Sequence, residues 1–263
     1  MPDQTNQQQT ITLLGTGTSV GVPVLGCDCD VCTSTNPKNN RLRSGVLVEA
    51  TAGNFLIDTP PDLRTQLLRE HVKQVQAVLF THSHADHIFG LDDLRIFGHR
   101  QDIDITLYCE AFVEQELRKS FHYAFNTPTA AHKFAIPRLT FQEIALKPFT
   151  VLNQQVQPIR LLHGKLEILG FRINDVAFCT DVSEIPEESW PLLEGLDTLV
   201  LDCLRDTPHP THFSVQQSLE TVERLQPKQA YFTHVSHSLE YVATNARLPA
   251  GVELAYDGLK IPF

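Results

Sequence analysis

Four side chains that can bind a metal occur within six consecutive residues, directly after a short apolar run at Ala77–Phe80. They form the pattern H-x-H-x-D-H and are His82, His84, Asp86 and His87. The first two histidines project from one side of an extended segment, whereas the Asp-His pair begins the helical run Ile88–Ile96. One loop can therefore begin two adjacent coordination spheres. Imidazole and carboxylate together favour Zn²⁺, Mn²⁺ or Fe²⁺ over Ca²⁺, and four such ligands after a buried strand are not typical of a chance surface loop.

Three further candidate ligands stand where other strand-like runs end. They are His163 after Val156–Leu162, Asp181 after Val176–Cys179, and His234 after Ala230–Phe232. Each alone would also fit a buried residue with a satisfied hydrogen bond. Because the carboxyl ends of strands in an α/β sheet meet in one crevice, these three residues together supply the further ligands that two metals would need.

A second cluster consists of Cys27, Cys29 and Cys32, with the spacing C-x-C-x₂-C. Three thiolates and one further ligand would complete a tetrahedral, structural zinc site. The alternative is three unligated thiols in a turn, which would be open to oxidation. The remaining cysteines are scattered through apolar runs: Cys109, Cys179 and Cys203. We expect these three to be inert core residues. This distribution is not that of a disulfide framework and favours a reduced, cytoplasmic protein.

The pattern of the chain predicts an α/β layered domain, because strand-like and helix-like runs alternate throughout. Besides the strands already named, the predicted strands are Ile11–Leu14, Gly45–Glu49, Asn54–Ile57, Ile168–Ile173 and Thr198–Leu201. The predicted helices are Asp62–His71, with Asp62 as N-cap and Leu63, Leu67 and Leu68 on one face, Val215–Leu225 and Ser238–Ala246. We expect a disordered polar tail over 1–9 and a single domain over 10–263. Lys119–Pro137 is a long segment rich in aromatic residues, here called the aromatic excursion, and we expect it to border the active site.

Composition restricts the class of partner. The 263 residues carry a formal net charge of −10, which disfavours generic binding to a nucleic-acid backbone. The N-terminal residues lack the cationic and apolar features of a secretory signal, and no apolar run is long enough to span a membrane. Neither generic nucleic-acid binding nor a membrane partner is therefore expected, while the net charge leaves a local basic groove and a homodimer open.

These motifs resemble the metallo-β-lactamase superfamily over most of the chain. Three segments narrow the resemblance: TLLGTGTSVGVP at 12–23, GCDCDVC at 26–32 and THVSH at 233–237. They are similar to the branch that contains the cyclic phosphodiesterase PhnP and, more distantly, tRNase Z. The resemblance implies an αββα sandwich with a dinuclear Mn²⁺ or Zn²⁺ site at the edge of its two sheets.

The resemblance also implies how the ligands are shared. One metal would be held by His82, His84 and His163, the other by Asp86, His87 and His234, with Asp181 bridging the two. Two divalent ions in such a site lower the pKa of a water and bind phosphoryl oxygens. His237, three residues after His234, is the candidate fourth ligand of the structural zinc.

Three other residues are candidates for supporting roles. Asp58 resembles the aspartate that orients a ligand histidine, although it could equally cap the turn before Pro60-Pro61. The family's catalytic histidine falls on His212 by its distance from His234, with His209 as the rival general acid. Asp202 is expected either to orient His212, to support the metal ligands, or to bind backbone.

The leading hypothesis is a metal-dependent hydrolase of small or cyclic phosphodiesters, with Asp86, Asp181 and His212 in the catalytic centre. The alternatives are an RNA endonuclease resembling tRNase Z and a hydrolase of another ester or thioester. A redox enzyme on the same scaffold and a non-catalytic metal-binding protein are also considered. The complete ligand set and the histidine acid favour hydrolysis over both.

Overall fold

Two seven-stranded sheets make up the framework of the protein in a computed structural model, which describes residues 9–125 and 134–263. The predicted tail therefore lies almost entirely outside the described residues, as does the middle of the aromatic excursion Lys119–Pro137. Within the described part of the chain, no helix is both long and apolar enough to cross a lipid bilayer.

The first sheet joins the two ends of the chain, because its last strand pairs with its first. In spatial order it contains β14 (Leu259–Pro262), β1 (Thr10–Gly15), β2 (Gly45–Ala50), β3 (Gly53–Ile57), β4 (Ala77–Leu79), β5 (Ile105–Cys109) and β6 (Leu139–Glu143). The strands from β3 to β6 are mutually parallel.

The second sheet is built from the second half of the chain. In spatial order it contains β13 (Val252–Leu254), β12 (Gln229–Thr233), β11 (Thr198–Asp202), β10 (Val176–Cys179), β9 (Leu166–Ile173), β8 (Gln154–His163) and β7 (Phe149–Val151). The strands from β10 to β13 are parallel, and β7, β8 and β9 form an antiparallel meander.

Helices cover the outer face of each sheet. They are α1 (Leu63–Arg69), α2 (Ala85–Ile88), α3 (Arg95–Gln101), α4 (Ala111–Ser120), α5 (His122–Phe125), α6 (Val215–Leu225) and α7 (Tyr241–Asn245). Short 3₁₀ helices occupy Pro37–Asn39, Leu91–Leu94 and Glu187–Leu193.

The buried side chains divide into three layers, and these confirm the predicted αββα order. Phe55 and Leu79 of the first sheet pack between the sheets against Phe171 and Phe178 of the second. The outer face of the first sheet packs against α1, α3 and α4, and that of the second against α6 and α7. Because both faces of each sheet are covered, the central strands are apolar on both sides rather than alternating.

Parallel strands place their carboxyl ends at one edge of each sheet, and the metal-binding motif follows one of these ends. The loop after β4 carries His82 and His84, while Asp181 and His234 follow β10 and β12. His163 is itself the last residue of β8, one residue inside the strand rather than after it.

Two helix predictions need correction. The run Ile88–Ile96 is not one helix, because α2 ends at Ile88 and the chain passes through a 3₁₀ turn before α3. Gly90 lies at this break: its N–H donates to the Thr59 carbonyl at 2.8 Å, and a Cβ there would lie 2.2 Å from the Pro60 carbonyl oxygen. The predicted helix Ser238–Ala246 begins only at Tyr241, after Glu240 as its N-cap.

The helix predicted over Asp62–His71 is present as α1, with a different role for its first residue. Asp62 makes no side-chain capping bond, and its carboxylate instead binds the backbone N–H and guanidinium of Arg43. Leu63 and Leu67 are buried as predicted, whereas Leu68 is 58% exposed. Leu68 lies one residue beyond the buried stripe and therefore faces solvent.

The N-terminus of α6 is a complete capping box, formed by Ser214 and Gln217. We expect Ser214→Ala to lower the free energy of unfolding by about 1 kcal/mol, because the Gln217 N–H then loses its acceptor. Urea unfolding followed by circular dichroism measures the change. The exposed residue Gln216→Ala serves as the control, and an equal loss in both variants would contradict the assigned cap.

Candidate metal centre

The predicted ligands meet in one cluster at the sheet edge. Four triads of side chains there each have ligand atoms within 4.8 Å of one another. The triads are His82–His84–His163, His82–His87–Asp181, Asp86–Asp181–His234 and His163–Asp181–His212. Asp181 belongs to three of the four, which is the position expected of a ligand shared between two sites. His84 is exposed and the other ligands are buried, so the cluster opens to solvent beside His84.

Left-handed backbone turns aim several of these side chains. Asp58, Asp181 and His234 each follow a strand and have φ values of 62°, 61° and 57°. A positive φ is uncommon for residues other than glycine and costs conformational free energy. At all three strand ends this conformation turns the side chain back over the edge of its sheet. The residues with a strained backbone are therefore residues of the site itself.

The ring nitrogens that face away from the cluster are held by hydrogen bonds. His87 Nδ1 lies 2.7 Å from the Asp58 carboxylate, and His163 Nδ1 lies 2.7 Å from the Thr211 carbonyl oxygen. His82 Nδ1 lies 2.9 Å from the Thr81 hydroxyl. Such partners fix the orientation of a ligand imidazole and leave its other nitrogen for a cation.

The nitrogens that face the cluster fit a bound cation. His82 Nε2, His87 Nε2 and His234 Nδ1 are buried and make no hydrogen bond within the described part of the chain. Buried polar atoms are rarely left without a partner. His87 Nε2 and His234 Nδ1 each lie 3.3 Å from an Asp181 carboxylate oxygen. This donor set of imidazoles and carboxylates suits divalent metals such as Zn²⁺.

The charges in the cluster also suit a bound cation. Burial lowers the pKa of His82, His163 and His234, so these imidazoles are neutral and able to bind a metal. Burial acts in the same direction on His87, but the surrounding carboxylates, led by Asp181, raise its pKa well above the usual value. The buried carboxylates thus exceed the positive charge that the side chains supply unless a proton or a metal is bound.

Asp58 makes the contact expected of an orienting residue. Its carboxylate accepts hydrogen bonds from His87 Nδ1 and from both the backbone N–H and the hydroxyl of Thr81. The turn-capping alternative has no such support: among the described residues the Asp58 carboxylate binds Thr81 and His87, and not the turn before Pro60-Pro61.

His212 and Asp202 form a buried pair beside the cluster. His212 Nδ1 lies 3.0 Å from Asp202 Oδ2, which also accepts the backbone N–H groups of Val182 and Phe213. The His212 ring is 4.7 Å from that of His163 and stacks on His234 at 4.6 Å. Of the three expectations for Asp202, the contacts support orientation of His212 and backbone binding.

His209, the rival general acid, lies farther from the ligands. Its ring is 5.3 Å from that of His212, and its Nδ1 is occupied by Thr211 at 3.1 Å. No triad of candidate ligands in the described residues includes it.

The cysteine cluster forms a second candidate centre. The Sγ atoms of Cys27, Cys29 and Cys32 lie 3.3, 3.4 and 3.5 Å from His237 Nδ1. A tetrahedral zinc with ordinary Zn–S and Zn–N bonds separates sulfur and nitrogen by about 3.5 Å, so the four atoms have the spacing of a closed site. The other cysteines are buried as predicted, and burial raises the pKa of the Cys109 and Cys179 thiols to about 12.

One supporting residue was missed from the sequence. The Arg41 side chain is fully buried and donates to the carbonyl oxygens of Ser236 and Leu239 at 2.8 and 2.7 Å. It thereby holds the turn that carries His237 and follows His234. A lone arginine in a polar segment gives no sequence signal for such a role.

Removing one thiolate should empty the cysteine centre alone. We expect purified protein to contain about three equivalents of transition metal, and Cys29→Ser to lose about one, because an open three-ligand site binds zinc more weakly. Elemental analysis after mild chelation measures this difference. Cys109→Ser, a substitution in the core outside the cluster, is the control, and unchanged metal content in Cys29→Ser would contradict the site.

Comparison with known proteins places this geometry in a family. Residues 53–235, more than half of the chain, match the beta-lactamase superfamily domain. A crystal structure described as a new diphosphatase from the PhnP family is 41% identical, covers 97% of this chain and 97% of that chain, and has a TM-score of 0.91.

Two curated relatives carry other names. The octanoyltransferase of Porphyromonas gingivalis is 36% identical over 253 residues, which is 94% of this chain and 50% of that protein. Ribonuclease Z of Clostridioides difficile is 26% identical over 200 residues, 72% of this chain and 62% of that protein. The chain thus spans about half the length of the first relative. The family match and the PhnP-family structure confirm the resemblance inferred from the motifs: the chain belongs to the beta-lactamase superfamily and is a metallo-hydrolase of that fold.

Proposed function

We propose that this protein is a metal-dependent phosphodiesterase that hydrolyses small or cyclic phosphodiesters. The observation that carries the proposal is the His212–Asp202 pair beside the buried ligand cluster, with ring contacts to His163 and His234. A histidine that is oriented in this way supplies the proton that an alkoxide leaving group needs. Similarity to a PhnP-family diphosphatase supports the same reaction class.

In the proposed centre, each ligand has a defined place. One divalent cation, Mn²⁺ or Zn²⁺, would be held by His82, His84 and His163, and a second by Asp86, His87 and His234, with Asp181 shared. When bound, these cations would lower the pKa of a water and stabilise negative charge on the phosphoryl oxygens. Cys27, Cys29, Cys32 and His237 would hold a structural Zn²⁺.

The protein's own residues complete the proposed mechanism. Asp202 accepts Nδ1–H of His212, so Nε2 is the atom that donates a proton to the leaving oxygen. Burial lowers the pKa of His212, while Asp181 and Asp86 act against that shift. Asp58 and Thr211 keep His87 and His163 in orientation by accepting their Nδ1–H groups.

A small substrate fits the charge of the chain better than RNA does. The net charge of −10 opposes binding to a polyanion, although the relationship to ribonuclease Z keeps an RNA substrate as the second candidate. A gel-shift with tRNA at low salt separates the two. Binding that weakens steeply with added salt would favour the endonuclease.

We place the reaction in the cytoplasm, where cysteines needed as metal ligands stay reduced.

The proposed substrate class is tested with metal-reconstituted protein. We expect hydrolysis of bis(p-nitrophenyl) phosphate, and its loss in Asp181→Asn, because Asp181 is shared by three of the ligand triads. Absorbance of released p-nitrophenolate measures the rate. Folded, metal-loaded protein that leaves diesters intact and cleaves an octanoyl thioester would contradict the proposal and favour chemistry suggested by the name of the P. gingivalis relative.

The role of His212 has a specific signature. We expect His212→Gln to lower kcat by about 10²- to 10⁴-fold for a diester with an alkoxide leaving group, because that group leaves only when protonated. The loss should be much smaller for p-nitrophenolate, which leaves without a proton. Comparing the two substrates measures the effect, with metal content checked in parallel.

His209→Gln provides the matched control and should retain the wild-type dependence on the leaving group. Equal losses for both leaving groups in His212→Gln would show that His212 is not the general acid. Asp202→Asn should reproduce the His212 pattern in weaker form, because it disturbs only the orientation of the ring.

A further inference from the structure

A cavity of about 760 Å³ opens beside the metal-binding loop, and His82 and Ser83 form part of its wall. The remaining wall comes from residues that follow β5 and β6 and from the tip of the β8–β9 hairpin. Since β4, β5 and β6 are parallel, these segments meet at the sheet edge that carries the ligand cluster. The volume is that of an ordinary small-molecule pocket.

The walls of this cavity are mainly apolar. They include Phe112 and Val113 of α4, Ile144 and Leu146 after β6, and Leu166 of β9. Phe112 and Leu146 are 54% and 42% exposed, although both are large hydrophobic side chains. Contact with an apolar group would remove this surface from water, which is favourable.

The charges around the cavity do not favour an anion inside it. Arg160 is mostly buried and donates to both Glu110 oxygens, at 2.9 and 2.5 Å, so this pair is neutralised internally. The other charged side chains in the described lining, Glu143, Lys147 and Glu167, are exposed at the rim, and Glu167 Oε2 lies 3.5 Å from Arg160 Nε. A second phosphate would therefore meet more carboxylates than cations in this lining, and Arg160 is already paired with two of those carboxylates.

The position of His212 identifies which part of a diester lies here. His212 contacts His163 and His234, and it is not among the described residues that line the cavity. The leaving group must lie against His212, since that residue protonates it in the proposed mechanism. The cavity is therefore available to the ester group that stays on phosphorus.

We propose that this cavity binds the retained ester group of the substrate, and that this group is an uncharged, largely apolar ring or chain. The inference rests on the proposed phosphodiesterase function. It assigns the selectivity among diester substrates to contacts with Phe112 and Leu146. None of the described residues of the aromatic excursion, 119–125 and 134–137, lines the cavity.

The test uses three diesters that share p-nitrophenolate as leaving group and differ only in the retained group: methyl, phenyl and n-hexyl. Because the chemical step is the same, the ratio of kcat/KM values reports contacts with the retained group. We expect the phenyl or the hexyl diester to exceed the methyl diester by about tenfold or more. The phenyl and hexyl arms distinguish a ring from a chain as the preferred occupant.

Phe112→Ala and Leu146→Ala should each lower this ratio by about threefold to tenfold, because the loss falls mainly on the phenyl and hexyl diesters. Leu68→Ala replaces another exposed leucine, on α1 and away from the cavity, and is the matched control for Leu146→Ala. A wild-type ratio near one, or a ratio unaffected by both cavity substitutions, would overturn the inference.

Calorimetry separates this inference from the proposed function. We expect metal-loaded protein to bind methyl phenyl phosphate about tenfold more tightly than dimethyl phosphate, and Phe112→Ala to remove the difference. Tighter binding of the phenyl diester without any hydrolysis would support the cavity and contradict the phosphodiesterase. Hydrolysis of the three p-nitrophenyl diesters, with equal affinities for methyl phenyl phosphate and dimethyl phosphate, would contradict the cavity and support the phosphodiesterase.

Discussion

The attraction between buried carboxylates and a cation is the constraint on which the rest of this structure depends. Asp58, Asp86 and Asp181 surround His87 in an enclosed crevice, and the neighbouring imidazoles are kept neutral by burial. Charges buried without partners cost several kcal/mol each. His87 offsets part of this negative charge, and the imidazole and carboxylate donors around it suit a bound divalent cation.

The two sheets satisfy this constraint by bringing distant segments to one edge. Parallel strands end there, and strained turns at Asp58, Asp181 and His234 direct carboxylate and imidazole groups into the gap. The cysteine cluster and Arg41 stabilise the loops on the same side, because both contact the Ser236–Leu239 turn or His237. The two candidate centres thus lie on neighbouring loops that share these contacts.

Much of the site was predictable because its residues have unusual chemistry at regular places. The H-x-H-x-D-H spacing is visible in the sequence, and strand direction predicts that Asp181 and His234, which follow strands, lie at the same edge as this motif. The break at Gly90 was not predictable, because it depends on how closely the backbone at Thr59 and Pro60 approaches Gly90. The role of Arg41 and the apolar cavity around Phe112 also arise only from tertiary contacts between segments far apart in sequence.

Anomalous diffraction from crystals loaded with manganese or zinc tests the central claim most directly. The account predicts two strong peaks enclosed by the seven histidine and aspartate ligands, with an Asp181 oxygen reaching both. A single peak held away from Asp181, or no peak among these side chains in protein shown to be folded, would contradict it.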